Sequence, residues 1–280
     1  LPFIVILYNY STMYLVFDFR IIMYLKLICK RVLILITTMT MSMIIYMFEN
    51  SEQTTCPSFD ELVKMDNYND IIFINCINSQ LTMLPKLPNS LEELWCGYNK
   101  ITILPDLPDS LINLECGYNK LTTLPKLPNN LRLLYCYKNQ LTMLPNIPNS
   151  LRKLDCSYNK LTMLPNLSNN LLYLLCSNNQ LTLLPNLPNN LDELDCSNNQ
   201  LTLLPKLSYL IEEYRYNNNP IYDYIKDKFG GNLELYHKEC KIFANKIGEW
   251  FLECKYNPKY KYCKDMINKD YDLYKSILNL

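Results

Sequence analysis

Histidine is almost missing from this chain: His237 is the single one among 280 residues. That scarcity argues against a catalytic triad with a histidine base and against a metal site built from several histidines. Glycine is also scarce, with five residues, and no glycine-rich phosphate-binding loop is present. The 27 basic and 27 acidic residues cancel. We therefore expect no nucleic-acid partner, because backbone phosphates are bound by a basic excess.

A 20-residue repeat fills the middle of the chain. The first clear unit, "LEELWCGYNKITILPDLPDS", begins at Leu91, and later units such as "LRKLDCSYNKLTMLPNLSNN" keep the same register. A degenerate unit covers residues 71–90 and a truncated one covers 211–221, which gives seven full units and one partial unit. Such a fixed period predicts a solenoid, in which stacked neighbours bury a core that no unit could bury alone.

The unit resembles the leucine-rich repeat, in its short class with an "LPxLP" second half. The alternation in "LxxLxC" predicts a short strand, and the prolines predict a return leg that is not helical. The fold class expected from this resemblance is a repeat solenoid. It is an arc with a parallel concave sheet and an extended or polyproline convex side, flanked by small helical caps.

Two columns of identical residues follow from the repeat. An asparagine after each strand can bond backbone groups of the adjacent turn, so we predict a hydrogen-bond ladder. Its members are Asn99, Asn119, Asn139, Asn159, Asn179, Asn199 and Asn219. The cysteines are Cys76, Cys96, Cys116, Cys136, Cys156, Cys176 and Cys196. We interpret them as small apolar packing residues in a reducing compartment, with disulfide, metal-binding and nucleophilic roles left as alternatives.

The repeats are flanked by three other segments. Residues 1–49 form a hydrophobic N-terminal segment, 50–70 an N-terminal helical cap, 71–221 the repeats and 222–280 a C-terminal helical cap or tail. Ser58 and Glu61 form a capping-box pattern that predicts a short helix. The stretch "NPIYDYIKDKFGG" predicts a helix that ends at Gly230–Gly231. An amphipathic helix is expected from Tyr236 to Cys254, and a last one over residues 264–278.

The hydrophobic segment leaves three interpretations open. It contains a charge-free run from Val32 to Phe48, which is near the lower length limit for a membrane helix. It could instead come from a mis-extended reading frame, with the true start at Met39, Met41 or Met43, or it could be buried structure.

The exposed positions of the strand face carry the candidate binding residues, because the repeat does not dictate them. Aromatic side chains there are typical of interface hot spots, and acidic ones would select a partner with basic groups. The predicted partner-binding residues are Trp95, Tyr98, Glu115, Tyr118, Tyr135, Asp155, Tyr158, Tyr173, Glu193 and Asp195. The alternative is a solvated solenoid face in a chain rich in tyrosine, with 23 of them.

The C-terminal tail holds weaker signals. His237, Cys240, Cys254 and Cys263 could bind zinc, but Cys240 and Cys254 lie on an apolar helical stripe, where core packing is the ordinary role. The string "CKD" from Cys263 is similar to a motif of bacterial ubiquitin ligases with comparable repeats, yet the tail is too short for such a catalytic domain. The stretch "IGEWFLECKYNPKYKYCKDMINKDYD" resembles the tail of repeat proteins from giant DNA viruses of the mimivirus type, which implies a viral protein in the host cytoplasm.

Together these patterns predict a non-enzymatic, monomeric module that binds a protein, such as a host factor, on the concave face of the solenoid. No cofactor and no metal are expected. Two alternatives remain open. One is an adaptor in ubiquitin transfer that docks through residues 222–280. The other is a membrane-anchored, receptor-like protein held by residues 32–48.

Overall fold

A single ten-stranded sheet runs through the protein. The computed structural model describes residues 44–49, 51–205, 211–242 and 245. Along the sheet the strand order is β10-β9-β8-β7-β6-β5-β4-β3-β1-β2. The strands are β1 Ile44–Phe48, β2 Thr54–Cys56, β3 Ile71–Asn75, β4 Glu93–Trp95, β5 Asn113–Glu115, β6 Leu133–Tyr135, β7 Lys153–Asp155, β8 Tyr173–Leu175, β9 Glu193–Asp195 and β10 Glu213–Arg215.

Strands β3 to β10 are parallel and pair each residue with its equivalent in the next repeat. Leu94 pairs with Leu114, for example, and Leu114 pairs with Leu134. This register is fixed by burial, because a slip of one residue would turn the central leucine of each strand to the surface. The predicted fold class, a leucine-rich-repeat solenoid with a parallel sheet, is confirmed.

The core is a stack of equivalent leucines. Each of the six repeats from residue 91 to 210 buries the leucine or isoleucine at its first, fourth and eleventh positions, as Leu151, Leu154 and Leu161 do in the unit that starts at residue 151. The return segment between one strand and the next forms neither helix nor strand, for instance over residues 156–170. The prediction that the return leg is not helical is therefore confirmed.

The asparagine ladder is present in the predicted form. The Asn159 side-chain oxygen accepts the Leu141 backbone N–H at 3.0 Å. Its amide nitrogen donates to the carbonyls of Cys136 and Cys156, both at 3.0 Å, and of Ser157 at 3.3 Å. The same set of partners recurs at the other six ladder asparagines. Each amide thus joins two neighbouring repeats through buried or partly buried groups.

The seven repeat cysteines are buried free thiols inside the hydrophobic core. Burial raises the pKa of the Cys76 and Cys196 thiols to about 12 and raises that of Cys116 well above its ordinary value. A thiol in this environment stays protonated at neutral pH and is a poor nucleophile. The predicted packing role is confirmed.

The N-terminal cap combines strands with short helices. Ser58 caps the one-turn helix α1, Phe59–Leu62, by accepting the Glu61 N–H at 3.4 Å, and a 3-10 helix follows at Tyr68–Asp70. The prediction of a purely helical cap over residues 50–70 is incomplete. Strand β1 pairs antiparallel with both β3 and β2. The apolar strand covers the sheet edge that β3 would otherwise expose, so the boundary predicted at residue 49 falls within the capping strands.

The charge-free run from Val32 to Phe48 is described only at its end. Its last five residues form β1, in which Ile44 and Tyr46 are buried. Residues 32–43 and the candidate starts Met39, Met41 and Met43 lie outside the described residues. Among the residues that are described, no helix is long and apolar enough to cross a bilayer.

The C-terminal cap begins as predicted. Helix α2, Pro220–Phe229, has proline in its first turn and ends at Gly230, whose φ of 60° is left-handed. Ile221 and Ile225 are buried in the core, and residues 233–242 form a second helical segment. Its buried Tyr236 accepts the Leu204 N–H through its hydroxyl at 3.4 Å. The rest of the predicted amphipathic helix and the helix over 264–278 lie outside the described residues.

Candidate functional site

The strand face aligns the predicted binding residues in two rows. The first row, at the fifth position of the repeat, places Trp95 beside Glu115, Glu115 beside Tyr135 and Tyr135 beside Asp155 on neighbouring strands. The second row places Tyr173 beside Glu193. Both rows are half-buried, whereas the leucine between them points into the core. The rows therefore form one continuous surface, because residues two apart on a strand share a face.

A further row lies just after the strands, at the eighth position of the repeat. Here the backbone is left-handed in every full repeat, with φ between 50° and 56°. Four consecutive repeats carry Tyr98, Tyr118, Lys138 and Tyr158 at this position, and we call these four residues the tyrosine ridge. The first repeat and the last three units carry asparagine at the same position: Asn78, Asn178, Asn198 and Asn218.

The side chains of the tyrosine ridge contact one another. The rings of Tyr98 and Tyr118 are stacked, with centroids 4.1 Å apart. The Lys138 ammonium lies 4.3 Å from the centroid of Tyr118 and 5.1 Å from that of Tyr158. Tyr98 and Tyr158 are nonetheless 42% and 51% exposed. The ridge is a preorganised row of rings around one cation, open to solvent on its outer side.

The aromatic residues of this surface form two groups. On the strand face, Trp95 packs edge-on against Phe73 at 5.3 Å. The Lys153 ammonium lies 5.5 Å from the Tyr135 ring and 5.2 Å from the Tyr173 ring. The other group is the tyrosine ridge. The difference arises because third and fifth positions lie on the strand, whereas the eighth lies beyond it on the left-handed turn.

Glu115 is turned toward the backbone of its own chain. Its carboxylate accepts the Gly97 N–H at 2.9 Å and the Gly117 N–H at 3.1 Å. These glycines directly precede Tyr98 and Tyr118, so Glu115 positions both residues of the stacked pair. A side chain at residue 97 would collide with this carboxylate, and one at residue 117 would lie 2.7 Å from the Tyr137 ring. Glycine at these two positions leaves room for the Glu115 carboxylate and the Tyr137 ring.

Burial raises the pKa of Glu115 to about 7 from its ordinary value of 4.5, against the opposing effect of its backbone hydrogen bonds. Between these two values the folded chain holds a proton that the unfolded chain has released. We therefore expect this group to make the free energy of unfolding fall as pH rises from 4.5 to about 7 and to add no slope above that. Glu115→Gln should remove this part of the slope.

The measurement is urea unfolding of both proteins at several pH values across that window, with the m-value checked for constancy. Glu93 and Asp155 also have pKa values raised by burial, but they are present in both proteins. The difference between the two curves therefore reports Glu115 together with its interaction with Asp155. Parallel curves would show that this carboxyl group ionises normally.

The acidic residues at the C-terminal end of the strand face are partly neutralised by Arg215 of the neighbouring strand. The Arg215 guanidinium lies 3.8 Å from the Asp195 carboxylate and 4.0 Å from that of Glu193, and it donates to Glu213. Asp195 also accepts from Ser197, through the backbone N–H and the hydroxyl. Asp155 accepts the Ser157 N–H at 3.0 Å. These carboxylates are less available to a partner than the sequence suggested.

Sequence reasoning missed four residues of this surface. Tyr137 packs edge-on against Tyr118 at 5.5 Å, although its seventh position is glycine or serine in most other repeats. Gly97 and Gly117 at that position make room for Glu115 and Tyr137. Arg215 occupies a variable position, and the repeat pattern does not indicate that its guanidinium pairs with Glu193 and Asp195 of β9. The sequence did contain one signal for the Tyr118–Tyr137 contact, because Tyr137 stands where the two preceding repeats have glycine.

The remaining candidates do not form a second site among the described residues. No group of three or more histidine, cysteine or acidic side chains in this part of the chain could hold a metal ion. His237 and the half-buried Cys240 lie on the segment 233–242. Their proposed partners Cys254 and Cys263, and with them the "CKD" string, lie outside the described residues.

Comparison with known proteins agrees with the repeat architecture. The Leucine Rich Repeat family matches residues 150–172. Among solved structures, YopM from Yersinia enterocolitica is 33% identical over 50% of this chain and 36% of its own, with a TM-score of 0.45. YopM from Yersinia pestis, a leucine-rich effector protein, is 32% identical over 53% of this chain and 49% of its own, with a TM-score of 0.48.

The leucine-rich-repeat domain of a Shigella effector is 35% identical over 52% of this chain and 68% of its own, with a TM-score of 0.49. No curated protein matched the sequence. The chain thus spans less than half of the two Yersinia proteins, and the similarity covers about half of this chain.

Proposed function

We propose that this leucine-rich-repeat protein is a non-enzymatic interaction module that binds another protein through the tyrosine ridge and the adjoining strand face. A stacked solenoid suits this role, because its backbone is rigid and its variable positions are displayed in fixed rows. The seven repeat cysteines are buried in the core, and burial raises the pKa of the Cys116 thiol well above its ordinary value.

The observation that carries the proposal is the backbone conformation of the ridge. A left-handed conformation costs roughly 1–2 kcal/mol for an ordinary residue, and asparagine is one of the few that adopt it routinely. The chain uses asparagine there in four units but places tyrosine at Tyr98, Tyr118 and Tyr158, with φ of 55°, 50° and 56°. Abundance of tyrosine does not explain this choice. Strain that the fold tolerates in a contiguous exposed row is typical of a functional surface.

The chemistry of the ridge suits a protein partner. Tyrosine offers a large rigid ring and a hydroxyl, which makes it one of the residues enriched in interface hot spots. Lys138 and Lys153 add two cations held against rings. Basic groups of a partner would have to compete with Arg215 for Glu193 and Asp195. We therefore place the main binding energy at the ridge and at Trp95, Tyr135 and Tyr173, with the carboxylates contributing selectivity.

The wider expectations remain predictions. A viral origin, a host factor as the partner and the host cytoplasm as the location rest on the tail beyond residue 246, which lies outside the described residues. Most of the segment 222–280 that would act as an adaptor for ubiquitin transfer also lies outside the described residues. So do residues 32–43 of the membrane anchor predicted over residues 32–48.

The repeat itself supplies the variant that tests the proposal. Replacing Tyr98, Tyr118 and Tyr158 by asparagine removes three rings and keeps a residue that the same turn already carries in other repeats. Immobilised protein is incubated with a eukaryotic cell extract, and the recovered proteins are quantified by mass spectrometry. For at least one protein, the amount recovered with the triple variant should be lower by a factor of about ten or more than the amount recovered with the parent chain.

The matched control changes the same three repeats on the return segment, as Thr102→Ala, Thr122→Ala and Thr162→Ala, where the side chains are exposed. It should recover the ridge-dependent proteins at the parental level. A proteome recovered equally by all three baits would contradict the proposed binding surface.

A further inference from the structure

A row of exposed apolar side chains lies on the return segments, away from the strands. It occupies the thirteenth position of the repeat, the variable residue of "LTxLP". Met83, Ile103, Met143, Met163 and Leu183 are 69, 64, 61, 66 and 48% exposed, and we call these five residues the return stripe. The third repeat carries the exposed Thr123 at this position.

The return stripe is not part of the core. On either side of Met143, Leu141 and Leu144 are buried, so the fold already has its apolar contacts from the eleventh and fourteenth positions. Thr123 shows that the turn accepts a polar residue in place of the stripe residue. Five half to two-thirds exposed side chains present on the order of 500 Å² of apolar surface, which is the size of the largest patch on a typical monomer and is often functional.

The flanks of the stripe are basic. The tenth position carries the exposed Lys100, Lys120 and Lys160, with glutamine in the other repeats and no acidic residue. Their backbone N–H groups bond the carbonyls of Leu81, Ile101 and Leu141, two residues before Met83, Ile103 and Met143. Within the described residues none of these three lysines makes an ion pair. An apolar row beside unpaired lysines is complementary to a partner with an apolar stripe and carboxylates.

We propose that the return stripe is a second docking surface, which binds an amphipathic helix with acidic flanks from a partner protein. The spacing favours a helix. Paired strands of neighbouring repeats are about 4.8 Å apart, close to the rise of about 5.4 Å per helical turn, and backbone hydrogen bonds also join neighbouring repeats beside the stripe. One apolar residue per turn can thus meet one stripe residue per repeat, and flexible methionines absorb the small mismatch. An extended strand presents one side chain per about 6.8 Å on a face and loses register.

Other occupants fit the stripe less well. In a dimer formed through the stripe, the row of Lys100, Lys120 and Lys160 would face either the same row of the second copy or the flank on the other side of the stripe. That other flank carries Lys86 and Lys126 against one acidic residue, Asp106. Like charges would then oppose association. A membrane surface needs a broad apolar face, whereas this stripe is one residue wide, with exposed threonines beside it at the twelfth position. The proposed site is separate from the tyrosine ridge, so neither proposal depends on the other.

Fluorescence anisotropy with a synthetic helix tests this proposal. The probe is a labelled peptide of about 20 residues with one leucine per turn and glutamates on both flanks. Because the stripe is smaller than a standard interface, a dissociation constant of about 10–100 µM is expected for the full chain. Met143→Thr with Met163→Thr introduces the residue that the third repeat already carries as Thr123, and it should weaken binding about tenfold or more. Glu92→Gln, at an exposed position next to β4, should leave it unchanged.

Further measurements test whether charge contributes to binding and distinguish a helical partner from a second copy of the chain and from a membrane. Lys120→Glu with Lys160→Glu should weaken binding of the acidic helix, as should added salt. Equal binding of a lysine-flanked or scrambled peptide, or no effect of the threonine variant, would overturn the proposal. Stripe-dependent dimers in light scattering would assign the surface to a second copy instead. Stripe-dependent sedimentation with phosphatidylserine vesicles, without peptide binding, would assign it to a membrane.

Discussion

Replacing Asn159 by alanine is expected to lower the free energy of unfolding by about 3–5 kcal/mol, because it removes four buried hydrogen bonds and leaves the Leu141 N–H without a partner. The lost bonds are the one accepted from Leu141 N–H and the three donated to the carbonyls of Cys136, Cys156 and Ser157. The carbonyls of Cys136 and Cys156 keep a second bond, from the Asn139 and Asn179 amides, but no described group replaces Asn159 at the Leu141 N–H. The effect should exceed that of a typical surface substitution by far.

Urea unfolding followed by circular dichroism measures this effect. Asn166→Ala is the matched control, because Asn166 stands in the same repeat and is exposed. It should change the free energy of unfolding by less than about 0.5 kcal/mol. A ladder variant as stable as the control would show that water or local rearrangement satisfies these backbone groups, and the ladder would then not hold the repeats together.

Removing residues 1–57 is expected to destabilise the solenoid and to make it self-associate. The deletion takes away β1 and β2 with the buried Ile44 and Tyr46. Each of these side chains contributes roughly 1.5–3 kcal/mol through burial. The melting temperature should fall by about 10 °C or more, since 1 kcal/mol shifts it by roughly 2–4 °C in a chain of this size. The uncovered edge of β3 offers unpaired backbone groups to another molecule.

Thermal unfolding and light scattering test this prediction together. The control is a chain that starts at Ser42, where the second compact unit begins, because it keeps both capping strands. That control should retain the melting temperature of the full solenoid and remain monodisperse. If the shorter chain behaved in the same way, β1 would be dispensable and the cap would consist of α1 and the 3-10 helix alone.

The regular part of this fold is predictable from sequence because its contacts are local. Each repeat touches only its neighbours, so the period alone places the strands, the buried leucines and the Asn159 ladder contacts. Helix α2 was predictable from its proline and Gly230 for the same reason. The strand Ile44–Phe48 was not, because its antiparallel partners are distant in sequence and its apolar residues continue a hydrophobic run.

The candidate surface was predictable in its rows but not in its contacts. The register alone placed Trp95 beside Glu115. The direction of the Glu115 carboxylate depends on the missing side chains of Gly97 and Gly117, and such a detail has no sequence period. The return stripe was not predictable, because the apolar thirteenth residue of "LTxLP" is indistinguishable from a core residue until its exposure is seen.

The stability of Tyr158→Asn tests most directly whether the ridge tyrosines are kept for binding rather than for folding. The variant recreates the "SNN" turn of the next repeat, where the Asn178 amide donates to the Ser177 hydroxyl at 3.3 Å. It gives up one cation–π contact with Lys138, worth about 0.5–1 kcal/mol at an exposed site. Relief of the left-handed strain should offset this loss. In urea unfolding we therefore expect a free energy of unfolding equal to or above that of the parent chain. A clear decrease would show that Tyr158 serves the fold, and the argument from strain to function would be contradicted.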